Sequence, residues 1–416
     1  MPPGHQTGQD TMTSRRILYC ESNADGTVGG SFYSLLFLVQ GLDRKRYEPL
    51  VVFYRDHALV PVYREAGIDT RILPRPAPFQ FASRLAAGRG LFALPGKLLV
   101  PAQKLANLWR FLLRPVLDKY RYLRRERIDL VHLNNSIIRN NDWMLAARLA
   151  GIPCMTHERG INRHYPRLAR WLAPRLEAIV CISSAVADNL RHHGIPDHNF
   201  RIIFNGLDPD RVQASRSPQE VREAWRIPPA APVIGMVGNI KEWKGQKSVI
   251  LAVAELKGEF PDLRCFLVGD TAEADQPYRD RLEQLIREHR LQDNIIFTGY
   301  QSCVADFVNA TDVVVHASVL PEPFGRVLIE AMALGKPLVG ARDGAVPEII
   351  VEGETGLMFT PDDPTDLARC IRQLLRDPET AKRMGTAGYR RLQQQFSIGS
   401  NIKKTTAIYD KVFRTR

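Results

Sequence analysis

From residue 15 onward, short β-branched runs alternate with longer stretches of helical period, and this pattern constrains the fold more than any other feature. In the first half the strand-like runs lie at 17–20, 50–54, 130–134, 154–157, 178–182 and 202–205. In the second half they lie at 233–237, 264–268, 295–298, 312–316, 337–340 and 357–359. Near-continuous apolar strands separated by amphipathic helices mean parallel sheets covered on both faces. Two such series predict two doubly wound α/β domains, and 416 residues is a suitable length for two or three. The expected boundaries are a flexible polar leader over 1–14, a first domain over 15–207, a Pro-, Ala-, Ser- and Arg-rich linker over 208–231, a second domain over 232–396, and a helix over 397–416 that crosses back to the first domain.

Composition removes several alternatives. With 44% hydrophobic and 25% charged residues, the chain is neither disordered, collagenous nor a coiled coil. No apolar run approaches the ~20 residues of a spanning helix, and the leader lacks the apolar core of a secretory signal. Six scattered cysteines, without a C-x-x-C pair or a nearby histidine, read as reduced small hydrophobes in a cytoplasmic protein, with no metal site. A net charge of +12 favours an anionic partner: nucleic acid, an anionic membrane surface or a phosphate-bearing substrate. Nucleic acid is the least favoured, because the basic residues lack interleaved aromatics. Residues 79–127 are helical in period, with Lys119, Arg121, Arg124, Arg125 and Arg127 after an apolar run. Two readings stand equally there: a sheet-covering helix with a solvated charged face, or an interfacial element resting on anionic lipid or an anionic acceptor.

Ligands of an open parallel sheet bind beyond the carboxyl ends of its strands, so the residues just after each strand matter most. Four places stand out. The first is a glycine loop, Gly26, Gly29 and Gly30, between a strand and a helix; it offers backbone amides to an anion without meeting the dinucleotide fingerprint. Asp56, past the second strand, keeps an NAD reading faintly open. The second is Gly238-Asn239 leading to Lys244, a cation placed to meet a diphosphate, although a solvated loop lysine is the commoner fate. The third is the most specific: Glu322-Pro-Phe-Gly followed by Arg326 and Glu330. Pro323 keeps Glu322 in the loop, and a helix from Phe324 and Gly325 places Glu330 roughly 7–8 Å along. The two carboxylates bracket a diphosphate at the helix mouth, with one sugar at each. A first-turn acid complementing the helix dipole is the plainer reading, but it leaves Glu330 unexplained among apolar neighbours. The fourth is His157, ending a strand and pointing toward the ligand side; such a histidine is more often structural than catalytic. Glu348, after Gly344, adds a carboxylate on the same rim as Glu322.

These motifs, in this order, resemble the retaining family-4 glycosyltransferases of the GT-B fold. The resemblance covers nearly the whole chain. It rests most on Glu322-Pro-Phe-Gly with Glu330, and also on VGNIKEWKGQ, Phe204–Asp208, GAVPEII and the glycine loop. It implies two Rossmann-like domains facing across a cleft and a nucleotide-diphosphate-sugar donor held mainly by the second. By the resemblance Glu330 binds the donor ribose, Glu322 with the amides of Phe324 and Gly325 binds the transferred sugar, and Lys244 neutralises the diphosphate. His157 matches the family histidine near the reacting sugar. Asn239 stands where the family often has an arginine, with Lys241 or Arg326 as substitutes.

The expected reaction joins the sugar to a hydroxyl of a glycan or lipid-linked acceptor in cell-surface polysaccharide or lipopolysaccharide biosynthesis. No cofactor is expected, since the nucleotide sugar is a co-substrate. Catalysis falls to Glu322, His157 and Lys244, with Gly29, Gly30, Asn239, Phe324, Gly325, Arg326 and Glu330 binding donor. Two rivals remain at the level of sequence. One is a GT-B sugar-nucleotide epimerase, which converts donor without acceptor; the other is a non-catalytic nucleotide-sugar or polyanion binding protein. The protein is expected in the cytoplasm or at the cytoplasmic membrane face.

Overall fold

A computed structural model describes residues 14–22, 29–75 and 93–415, the side chains of 93–98 excepted. Most of the leader, Gly26 of the glycine loop and residues 79–92 of the basic segment lie outside the described residues. The chain forms two compact units. One takes the chain up to Cys181 with Leu190–Arg201 and Thr405–Arg416, and the other takes Ile182–Asn189 and Ile202–Lys404.

The first unit is built on a seven-stranded sheet of order β3-β2-β1-β4-β5-β6-β7. Its strands are β1 (Arg15–Cys20), β2 (Tyr47–Phe53), β3 (Asp69–Ile72), β4 (Leu130–Leu133), β5 (Cys154–Glu158), β6 (Ala178–Cys181) and β7 (Phe200–Ile202). From β3 to β6 every pairing is parallel. The second unit carries a six-stranded, wholly parallel sheet of order β10-β9-β8-β11-β12-β13. Its strands are β8 (Val233–Val237), β9 (Arg264–Val268), β10 (Ile295–Gly299), β11 (Val313–His316), β12 (Leu338–Ala341) and β13 (Gly356–Phe359). Runs such as Val-Val-Val in β11 are buried because helices cover both faces, which is what their unbroken apolarity required.

Eleven of these strands fall where the apolar runs predicted them, and a twelfth, β7, shares only Ile202 with the run at 202–205. The exception is β3, whose sequence Asp-Thr-Arg-Ile is half charged. It is an edge strand, and polar side chains on an edge are compatible with pairing on one side only. The segment expected as a linker has structure of its own. Pro218–Ala224 is a helix with a Ser217–Glu220 capping box, and Val221, Ile227 and Ala231 pack with Phe266 and Phe307 of the second unit. Five of the six cysteines are buried among apolar neighbours.

The described part of the basic segment is one long helical stretch. Ala93–Leu108 runs through a π-helical turn, Trp109–Leu113, into Arg114–Arg125. Pro115 has no N–H to give, so an ordinary turn is broken there, and the Arg114 N–H reaches back to the carbonyl of Trp109. Val116, Lys119 and Leu123 turn inward. Lys119, which both readings left on an outward charged or interfacial face, is instead buried and paired with Asp142. Leu105, Leu108, Trp109, Leu113 and Leu117 face outward, and Leu105 is 68% exposed.

Candidate functional site

In the second sheet the strand order reverses between β8 and β11, which places the ligand crevice beyond their carboxyl ends. After β8 the chain passes Gly238 and Asn239 into a single turn, Glu242–Lys244, and Gly245 opens the helix Gln246–Leu256. Gly245 has φ +83°, and a Cβ there would lie 1.9 Å from the carbonyl oxygen of Ala317. Only glycine lets the loop after β8 press on the loop after β11 in this way. The Val319 N–H donates to the Trp243 carbonyl at 2.9 Å and ties the same two loops. Further along, Gly325 takes φ +86° and starts the helix Arg326–Ala333. The carbonyl of Glu322 accepts from the Ala345 N–H at 2.9 Å, so its backbone is fixed as well.

These loops bring Lys244 and Glu322 together. Lys244 Nζ donates to Glu322 Oε2 at 2.8 Å while lying 4.0 Å from the centre of the Trp243 ring. Ser318 Oγ and His316 Nε2 each reach the same oxygen at 3.2 Å. The Glu322 side chain is only 12% exposed. Burial alone would raise its pKa. The hydrogen bond and charge of His316 and the charge of Lys244 outweigh that and hold the carboxyl well below the usual range. Oε1 has no hydrogen-bond partner among the described residues and stays available as an acceptor.

Glu330 lies farther along the helix, its Oε1 3.0 Å from an Arg326 guanidinium nitrogen. The Phe324 ring is buried against Phe204 and Phe396, at centroid distances of 6.3 and 6.1 Å. Phe324 therefore presents only its backbone, next to first-turn amides that have no acceptor within the helix. Asn239 is exposed, with its carbonyl accepting from Gln246. Lys241 Nζ lies 3.8 Å from Asp275 Oδ2. Glu348, expected on the same rim as Glu322, caps the helix Ser184–His192 by accepting the Ser184 and Ala185 N–H groups at 2.7 and 3.0 Å. Asp208 likewise accepts from the Asp210 N–H, a turn cap.

In the first unit Gly29 precedes the helix Gly30–Gln40 in extended backbone, and a Cβ there would meet nothing within 4 Å. The carboxylate of Asp56 accepts from the next N–H, that of His57, in a local turn. His157 lies on β5 with 1% exposure, and its Nδ1 is 2.6 Å from His132 Nε2. Tyr409 OH lies 2.6 Å from His132 Nδ1 and 3.0 Å from Tyr19 OH. Burial, with the Arg159 charge second, pushes the His132 pKa down to about 3 and lowers that of His157 too. Beside them Glu158 is wholly buried, and burial lifts its carboxyl to about 8 against hydrogen bonds from the Ile137 N–H and Asn162.

Sequence reading singled out neither His132, His316, Ser318 nor Tyr409. A usable signal existed for the histidines, since His132 and His316 also stand at the carboxyl ends of apolar strands. Nothing in the sequence marked Tyr409.

The first unit also holds a cavity of about 770 Å³. Tyr54, Arg75 and Arg139 line it opposite Arg110, Phe111 and Arg114 of the π-helical turn and the helix after it. Arg75 stacks 4.0 Å over the Tyr54 ring. No group of three metal-ligating side chains occurs among the described residues.

Residues 217–391 match the family model for glycosyl transferases group 1, and residues 28–211 match that for glycosyltransferase family 4. The N-acetyl-alpha-D-glucosaminyl L-malate synthase of Bacillus anthracis is 26% identical over 299 residues, 70% of this chain and 76% of that protein. A lipopolysaccharide core biosynthesis mannosyltransferase of Rhizobium meliloti is 25% identical, over 61% of this chain and 71% of its own length. Among solved structures, Anabaena HepE in complex with UDP-glucose superposes with a TM-score of 0.77 at 23% identity, over 95% of this chain and 99% of the other. That likeness shows the fold to be GT-B, two parallel-sheet α/β domains.

Proposed function

The chain belongs to the group 1, family 4 glycosyltransferases, and from that premise we propose that it moves a sugar, with retained anomeric configuration, from a nucleotide-diphosphate sugar to a hydroxyl of a glycan or lipid-linked acceptor. The observation that carries this reading is the Glu322 carboxylate. It is held ionised by Lys244 and His316 at the mouth of a helix, with Oε1 open and Glu330 farther along the same helix. A buried anion with one open lone-pair edge is suited to grip a sugar hydroxyl. The ammonium beside it and the first-turn amides are suited to the departing diphosphate.

Within that reading, the second unit binds the donor. Glu330 accepts from the ribose, Glu322 Oε1 from the transferred sugar, and Lys244 with the amides of Phe324 and Gly325 stabilises charge on the diphosphate. Arg326 orients Glu330, while Asn239, with Gly29 and Gly30 of the first unit, offers polar contacts to the donor. His157 of the first unit supplies a hydrogen bond to the transferred sugar. The bond from the anomeric carbon to the diphosphate oxygen breaks, and the acceptor oxygen attaches to the same face. The diphosphate oxygen takes the acceptor proton, so no second carboxylate is needed for a double displacement. No metal or cofactor takes part in this scheme.

The UDP-glucose of the HepE complex and the sugar-transfer names of the relatives support a nucleotide-sugar donor. The cavity lined by Arg75, Arg110, Arg114 and Arg139 supports an acceptor bearing an anionic group, such as a lipid-linked or lipopolysaccharide-type glycan. The exposed apolar side chains of the adjoining helix support work at the cytoplasmic membrane face. The test is donor turnover with and without acceptor, followed by NMR of the product anomer. Sugar transfer that depends on acceptor and keeps the donor's configuration is expected. Rapid conversion of the donor alone, or inversion, refutes the proposal.

A further inference from the structure

Three adjacent strands and the helix that carries Tyr409 build a linear hydrogen-bond chain in the first unit. Tyr19 on β1 and His132 on β4 are direct register partners across the point where the sheet order reverses. His157 lies on β5, the next strand, on the same face. Tyr409, from the helix Ile398–Arg414, reaches both Tyr19 and His132. All four side chains are within 1% of complete burial.

The protons of this chain are countable. Each tyrosine carries one O–H, and each buried imidazole, neutral here, carries one N–H and one bare nitrogen. Among the described residues Tyr19 OH has a single hydrogen-bond neighbour, Tyr409 OH. If protons ran outward from His157, the Tyr19 hydroxyl would be left a buried donor with nothing to accept it, which buried polar groups avoid. In the opposite direction each donor up to His132 is satisfied, and the one left over is His157 Nε2–H, at the end of the chain. Tyr19 O–H donates to Tyr409, Tyr409 O–H to His132 Nδ1, and His132 Nε2–H to His157 Nδ1. We infer that Tyr19, Tyr409 and His132 are positioning residues that lock His157 in the Nε2–H tautomer and so present it as a hydrogen-bond donor. Nε2 has no partner among the described residues and is absent from the fully buried atoms that lack one.

This inference rests on the reading that His157 touches the transferred sugar. There, a ring fixed as a donor selects an acceptor atom, a sugar oxygen gathering negative charge, and rejects a donor hydrogen. It also assigns a task to the terminal helix, since Tyr409 is the group that orients His132.

Nitrogen-15 NMR of histidine-labelled protein reads the tautomer directly, because protonated and bare imidazole nitrogens resonate far apart. The full-length protein is expected to show His157, identified by its absence in the His157→Ala variant, with the proton on Nε2. His132→Gln leaves an amide N–H able to donate to His157 Nδ1, so it should keep that signature and most of the turnover. His132→Leu should lose the signature and at least about tenfold in kcat with donor KM little changed. His157 protonated on Nδ1 in the wild type overturns the inference, as does a His132→Leu variant that keeps both tautomer and rate. Should His132→Leu fail to fold, the wild-type spectrum and His132→Gln still decide. An Nε2–H signature together with a fully active His157→Ala would leave the lock in place and remove the catalytic reading of His157 instead.

Discussion

Glu322 Oε2 accepts from Lys244, His316 and Ser318, and that convergence makes Lys244 the most informative side chain to remove. Lys244→Ala should lower kcat by about 10²–10³-fold, the usual loss for one transition-state donor, with the far-ultraviolet spectrum unchanged. A near-normal rate contradicts the assigned role. Glu158 gives a pH prediction. Its folded pKa is raised to about 8, so the native state keeps a proton that the unfolded chain releases near its ordinary value. That contribution is complete below about pH 4.5 and is lost as pH climbs through 8, by about 1.4 kcal/mol per unit between them. Urea melts of wild type and Glu158→Gln at pH 5 and pH 8 should show the wild-type advantage shrinking at the higher pH. A constant difference contradicts it. At this scale the sequence made Lys244, Glu322 and Glu330 legible, because each follows a strand or opens a helix at a meaningful spacing. The His132–Tyr409 pair is brought together only by packing across 277 residues, which no local spacing encodes. His316 and Ser318, by contrast, stand just six and four residues before Glu322, a spacing the reading passed over. The capping role of Glu348 was not legible either, since the amides it caps lie 164 and 163 residues away.

Among the elements, the turn at Gly245 bears most directly on the site. Its left-handed φ and the 1.9 Å separation a Cβ would have from Ala317 mean that alanine must push the two loops apart. Gly245→Ala should cost about 2–4 kcal/mol in a denaturant melt, beyond an ordinary surface change, and a loss under 0.5 kcal/mol contradicts the packing described. The strands were readable because a buried parallel sheet needs unbroken apolar runs. β3 was not, because an edge strand does not. The π-helical turn escaped notice although its cause, Pro115, was visible, since a proline inside a helical pattern signals a break without saying how the backbone repairs it.

For the molecule as a whole, a net charge of +12 and the outward apolar face of the helical stretch ending at Arg125 concern where the protein works. Protein mixed with anionic phosphatidylglycerol vesicles at low salt should sediment with them and come off near 0.5 M salt, where the Debye length has fallen to about 4 Å. Leu105→Ser with Trp109→Ser should weaken that association, and failure to sediment at low salt contradicts the membrane reading. The two-sheet architecture was legible almost entirely, whereas the cavity proposed for the acceptor was not, because it is assembled from distant segments. Donor binding tests the account most directly: calorimetric titration of UDP-, GDP- and ADP-sugars into wild type and into Glu330→Ala. At least one nucleotide sugar should bind the wild type, and Glu330→Ala should bind it at least about tenfold more weakly, as expected when a carboxylate gripping two hydroxyls is removed. Binding of none of them, or equal binding by both proteins, contradicts the claim that this helix holds an activated sugar.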